Sequence, residues 1–154
     1  QLLAEHGYLQ YEVSAYARAG HQARHNLNYW SFGDFIGIGA GAHGKLSSPS
    51  GQIVRTWKTR LPKDYLDPDK AFLAGERALT SEELPFEFLM NVLRLNDGCS
   101  SALFTQRTGL PLSVLSTARA EAEARGLLLR DPQRLAASRE GQLFLNDLLQ
   151  YFLT

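Results

Sequence analysis

Ser100-Ser101-Ala102-Leu103-Phe104-Thr105-Gln106-Arg107-Thr108-Gly109-Leu110-Pro111 decides the architecture of the second half of this 154-residue chain. Ser100 or Ser101 offers the hydroxyl that caps a helix N-terminus, and Gly109 has the freedom to end that helix in a left-handed turn. Pro111 suits the first position of another helix, which Gly126 stops. Further on, Leu127-Leu128-Leu129-Arg130 and Arg134-Leu135-Ala136-Ala137, joined across Asp131-Pro132-Gln133, predict a β-hairpin. A last helix is predicted from about Arg139 to Phe152. Upstream, Thr80 or Ser81 is placed to cap a helix whose Phe86, Leu89, Met90 and Leu93 recur at i, i+3, i+4 and i+7, with Asn96-Asp97-Gly98 as its stop. Helix, short helix, turn, helix, hairpin is the order of a winged helix-turn-helix.

That order invites a nucleic-acid reading, and charge argues against it. On the helix from Pro111 to Gly126, Arg119 and Arg125 are matched by Glu121 and Glu123, whereas phosphate neutralisation needs an excess of lysine and arginine. The whole chain is balanced too, with 16 basic and 16 acidic residues. A scaffold or protein-interaction module is the reading left for this half. Apolar residues at 44% and charged residues at 21% are ordinary globular usage, which excludes disordered and collagen-like classes. No apolar run approaches the roughly 20 residues of a membrane span.

The first half differs in kind, holding all four histidines and, before residue 52, eight of the thirteen glycines. Gln1 to His6 reads as the end of a helix stopped by Gly7. Tyr8 to Ser14 predicts a strand after it, an αβ step of the sort found in α/β barrels. Residues 17 to 34 read as a long irregular loop, Phe35-Ile36-Gly37-Ile38 as a short buried strand, and Ile53 to Trp57 as another strand. Leu61 to Gly75, with Pro62 and Pro68, reads as a connector. The expected division is therefore 1–60, a connector at 61–79, and a helical domain at 80–154.

Two segments carry candidate chemistry. His25-Asn26-Leu27-Asn28-Tyr29-Trp30 concentrates an imidazole, two carboxamides and two large aromatics. A flat aromatic ligand stacks on Tyr29 or Trp30, and a ligand iron takes an imidazole such as His25; alternatively His25 donates to a carbonyl and the aromatics plug a sheet. His21 and His43 are less specific metal donors. Gly39-Ala40-Gly41-Ala42-His43-Gly44 fits G-x-G-x-x-G after a strand, yet Lys45-Leu46-Ser47-Ser48-Pro49 opens no helix to receive a phosphate. It reads either as the lining of a cofactor cleft or as a structural turn. Cys99 is the single cysteine. It closes no intramolecular disulfide and supplies no three-thiolate site, which fits a reducing, cytoplasmic setting.

Tyr11 to Arg18, Arg24 to Trp30 and Gly37 to Gly44 together resemble the later part of the radical S-adenosylmethionine (SAM) proteins related to oxygen-independent coproporphyrinogen III oxidase, with the HemW-type haem chaperones the nearer branch. His43, where the oxidases carry an aliphatic residue, agrees with the chaperones. The resemblance covers essentially the whole chain. It implies an α+β fragment: the last strands of a partial (β/α) barrel followed by a mainly helical, winged-helix-like domain. It implies haem as ligand, with His25, Asn26, Tyr29 and Trp30 at the haem site and His25 on the iron. Gly39, Gly41, Ala42 and His43 then correspond to a stretch that approaches SAM through backbone groups. SAM and a 4Fe–4S cluster are implied for a longer parent, whose cluster cysteines lie outside these residues, so the fragment is expected to be catalytically inert. The implied partners are haem or a porphyrin and haem-acceptor proteins, and strand edges at 8–14 or 35–38 are expected to pair with a second copy.

Overall fold

The computed structural model describes residues 2–153, in which α and β elements are mixed. Contacts divide the chain into two compact units. One joins Gln1–Phe32 to Ser81–Thr154, and the other is Gly33–Thr80.

The first unit opens with α1 (Leu2–Glu5), then β1 (Leu9–Glu12) and β2 (Ala15–Ala17) as an antiparallel hairpin, then α2 (Arg24–Trp30). Gly7 stops α1 at φ 78°, as its sequence position requires. The irregular loop expected over 17–34 thus contains a helix. Its seven residues hold one leucine and no side-chain cap, so neither periodicity nor a stop signal announces it.

The second unit is a three-stranded antiparallel meander, β3 (His43–Ser47), β4 (Ile53–Lys58) and β5 (Leu73–Ala78), with the short helix α3 (Pro62–Tyr65) between the last two strands. The connector expected over 61–79 therefore ends in a strand. All residues of β5 except the half-buried Gly75 are exposed, so it lacks the alternation that marks a half-buried strand. The buried strand expected at 35–38 is absent. Only Phe35 bridges to Lys45, while Ile36 and Ile38 are 72% and 85% exposed. Positive φ at Gly39 and Gly41 breaks the run that follows.

The chain re-enters the first unit as α4 (Leu84–Val92). A turn at 81–83 precedes α4, whose N-cap position falls on Glu83 rather than on Thr80 or Ser81. β6 (Cys99–Ser100) leads into α5 (Ser101–Thr108). Ser100 Oγ accepts from the Ala102 amide at 3.3 Å, and Gly109 ends the helix at φ 72°. The helix predicted from Pro111 begins as a 3-10 turn, Leu112–Leu115, and continues as α6 (Ser116–Ala124) up to Gly126 at φ 75°. The predicted hairpin is a minimal wing. Leu128 bridges to Ala137, and β7 (Arg134–Leu135) pairs with β6 instead. The last helix breaks at Phe144 into α7 (Arg139–Leu143) and α8 (Leu145–Gln150).

The core of the first unit is an edge-to-face aromatic chain, Phe32–Phe88 at 5.5 Å and Phe88–Phe104 at 5.3 Å, packed among Leu89, Val92, Leu93 and Leu148. The N-terminal segment joins this core through main-chain bonds on both its edges. β1 pairs β2 on one side, while the Val13 amide donates to the Arg94 carbonyl and the Asn96 amide to the Tyr11 carbonyl, both at 3.1 Å.

In the second unit, Lys45 is 2% exposed and its Nζ meets Asp34 Oδ1 at 2.8 Å. Asp34 also accepts from the Ser47 amide and hydroxyl, each at 2.9 Å. Burial alone raises the Asp34 pKa, but the Lys45 ammonium and the two Ser47 donors outweigh it and hold the carboxyl below its ordinary value of 3.8. A depressed pKa contributes stability that is complete above the unfolded value and is lost as the pH falls through the folded one. Thermal unfolding between pH 7 and pH 2 is predicted to show this loss below about pH 4 in the native chain and a flatter profile in Asp34→Asn. Parallel profiles would contradict the assignment.

Candidate functional site

On α2 the spacing i, i+4 pairs His25 with Tyr29 on one face and Asn26 with Trp30 on another. The second pair faces the protein. Asn26 Nδ2 donates to Tyr11 Oη at 3.3 Å, and the half-buried Trp30 ring lies under the Arg94 guanidinium, with Cζ 4.3 Å from the ring centroid. Arg94 Nη2 in turn meets Glu12 Oε2 at 3.3 Å. Glu12 is 2% exposed, and its other oxygen accepts from the Ser14 amide at 3.0 Å and hydroxyl at 2.9 Å. The buried carboxylate therefore fixes Arg94, and Arg94 fixes the indole. Trp30 Nε1 and Arg94 Nε are both buried without a hydrogen-bond partner among the described residues.

The other face carries His25 and Tyr29. His25 is exposed, and no hydrogen bond or ion pair holds its imidazole among the described residues. Tyr29 stands edge-on to Trp30 at 4.7 Å. Phe32 closes the helix in a left-handed conformation, φ 55°, with its ring 1% exposed. A bulky residue there costs roughly 1–2 kcal/mol, which burial of the ring against Phe88 offsets. The arrangement holds one edge of the helix rigidly and presents an imidazole and a phenol ring from the other.

The glycine turn lies in the second unit, so Gly39, Gly41, Ala42 and His43 form a separate cluster from the α2 residues. Its amides are largely occupied. Gly39 N donates to Tyr65 Oη at 3.1 Å, Gly41 N to the Thr59 carbonyl at 2.9 Å, and Ala42 N to the Gly39 carbonyl at 3.2 Å. His43 opens β3, is exposed, and faces Trp57 across the ladder. Sequence reasoning missed Glu12, Arg94, Trp57, Lys58 and Arg60. Glu12 and Arg94 are 82 positions apart and give no local signal. Lys58-Thr59-Arg60 directly after Trp57 was a readable cue, two cations at strand spacing beside an aromatic.

The capped helix, left-handed glycine and small wing that follow α4 lie in a stretch similar to the HemN C-terminal domain. The family model of that domain matches residues 79–144. A solved structure titled "Coproporphyrinogen III oxidase (HemN) from Escherichia coli is a Radical SAM enzyme" shares the fold at a TM-score of 0.65 and 16% identity, over 99% of this chain and 38% of that one. More particularly, the chain is similar to proteins named heme chaperone HemW. It is 46% identical over 153 residues to that of Escherichia coli (strain K12), across 99% of this chain and 40% of that protein. To that of Haemophilus influenzae it is 44% identical over 154 residues, across 100% and 40%. To that of Bacillus subtilis the figure is 33% over 153 residues, across 96% and 39%. The chain thus spans about two fifths of the length of these relatives.

These residues do not fit an iron–sulfur cluster. Cys99 is the single cysteine, and no group of three or more His, Cys, Asp or Glu side chains among the described residues is arranged to hold a metal. Burial pushes the Cys99 thiol up to about 12, so it stays protonated and unreactive at neutral pH. Alkylation of Cys99 by iodoacetamide at pH 8 is predicted to run on the order of a thousandfold slower in the folded chain than in urea. Equal rates would show that the thiol is exposed.

Proposed function

We propose that this chain is the C-terminal part of a radical SAM haem chaperone, and that it helps to bind haem and pass it to acceptor proteins. The observation that carries the reading is the His25-Asn26-Leu27-Asn28-Tyr29-Trp30 helix. One of its faces is anchored through Trp30 and Asn26, and the other offers an exposed imidazole. Similarity to proteins named heme chaperone HemW along the whole chain supports it.

In this reading haem is cargo. His25 is the iron donor, Tyr29 supplies aromatic surface to the macrocycle, and Asn26 and Trp30 hold the helix in register through Tyr11 and Arg94. Residues 1–60 supply the end of the barrel, and the turn at Gly39, Gly41, Ala42 and His43 borders the SAM side of the parent. When bound in the parent, a 4Fe–4S cluster supplies the electron that cleaves SAM, and its cysteine ligands lie outside these 154 residues. A lone cysteine suits a reducing compartment such as the cytoplasm. No helix among the described residues is long and apolar enough to cross a membrane. The oxidase reading rests on a fold likeness at 16% identity and stands second.

Absorbance titration of haem into the chain tests the assignment. The native chain is expected to give a saturable Soret shift, with affinity reduced about 10–100-fold in His25→Ala, the range seen when a ligand set is disturbed. Identical titrations would remove His25 from the iron, and a lack of saturable binding by the native chain would reject the haem reading of this helix.

A further inference from the structure

Ala40, Gly41, His43, Trp57, Lys58 and Arg60 enclose a cleft of about 510 Å³ in the second unit. Its lining carries a lysine, an arginine and an imidazole, and no carboxylate. Two other lysines of this unit are ion-paired, Lys45 to Asp34 at 2.8 Å and Lys70 to Asp64 at 2.7 Å. Lys58 and Arg60 have no ion-pair partner among the described residues. Lys58 Nζ lies 4.5 Å over the Phe72 ring, which holds the ammonium in place without cancelling its charge.

Two like charges at one concavity repel each other, and a bound anion relieves that repulsion. The main chain contributes little to such a site, because the amides of Gly39, Gly41 and Ala42 are already donated within the turn and to its neighbours. Recognition of charge therefore falls to side chains. The guanidinium of Arg60 matches a carboxylate or phosphate edge in two bonds, and the Lys58 ammonium adds a point charge. Trp57 forms an apolar wall. Its indole lies over Gly75 of the neighbouring strand, where a Cβ would collide with the ring carbons, so any larger residue at 75 displaces the wall.

We infer that this cleft binds the oxyanion group of a small ligand, a carboxylate or a phosphate, with Lys58 and Arg60 as its charged donors, His43 as a third donor and Trp57 as its wall. The inference is independent of the His25 helix and stands or falls apart from haem binding.

Amide ¹H–¹⁵N spectra of the full chain, titrated at constant ionic strength with sodium phosphate and separately with sodium succinate to about 20 mM, test it. Saturable shifts are expected at Gly41, His43, Lys58, Arg60 and the Trp57 indole. A tighter phosphate curve identifies a phosphate-bearing ligand and a tighter succinate curve a carboxylate-bearing one. The paired change Lys58→Gln with Arg60→Gln is expected to weaken binding about tenfold or more, while Lys70→Gln leaves it unchanged. The spectrum itself reports whether each variant is folded, and the two single variants give the same comparison should the pair fail to fold. Shifts that do not saturate, that spread evenly over exposed Lys and Arg residues, or that survive the paired substitution would overturn the inference.

Discussion

A carboxylate as enclosed as Glu12 must be given donors, and it has three: the Ser14 amide, the Ser14 hydroxyl and the Arg94 guanidinium. Removing the guanidinium from this half-buried pair costs roughly 1–3 kcal/mol, because the enclosed carboxylate loses one of its donors. Arg94 is thus fixed by a residue 82 positions away, and its flat cation lies over the ring of Trp30. Cation–π contacts of this kind contribute about 0.5–2 kcal/mol. Glu12, Arg94 and Trp30 thereby tie three pieces of chain together: the first hairpin, the segment after α4, and α2. Main-chain bonds between Val13 and Arg94 and between Asn96 and Tyr11 run beside them, so side-chain and backbone register agree.

The consequence for function is that the His-Asn-x-x-Tyr-Trp helix belongs to the same compact unit as the winged-helix-like domain. Its inward face, Asn26 and Trp30, is committed to structure, and on its outward face His25 is exposed. The glycine turn behaves in the opposite way. A sequence rich in glycine suggests bare amides awaiting a ligand, whereas the amides of Gly39, Gly41 and Ala42 are spent on Tyr65, Thr59 and Gly39. What remains available around that turn is the imidazole of His43 and the basic side chains of Lys58 and Arg60.

Local chemistry made much of the second half legible in the sequence. Ser100 caps, Gly109 and Gly126 end their helices at positive φ, and of the apolar spacing Phe86, Leu89, Met90, Leu93 the two leucines are buried while Phe86 and Met90 are half-buried. The elements that escaped are those whose existence is set by distant partners. α2 is too short and too polar to show a period. β5 is a strand because β4 offers it an edge, and Phe35–Ile38 is not one because it bridges β3 at a single residue. Phe144 interrupts the last helix with φ −115° and ψ 45°, and no glycine or proline marks the break. The cluster His25 to Trp30 stood out by composition, and its link to haem came only through the family resemblance. Arg94, which holds that cluster, was not readable, since nothing near it in the chain pairs it with Glu12.

Hydrogen exchange on the native chain and on Arg94→Lys tests most directly whether Arg94 holds the motif helix. Lysine keeps a positive charge for Glu12 and removes the guanidinium plane from the indole. Amides of residues 24–30 are predicted to exchange about tenfold faster, in line with the loss of one cation–π contact, while those of α5 and α6 keep their protection. Unchanged exchange in residues 24–30 would contradict the account, because the helix would then be held by something other than Arg94.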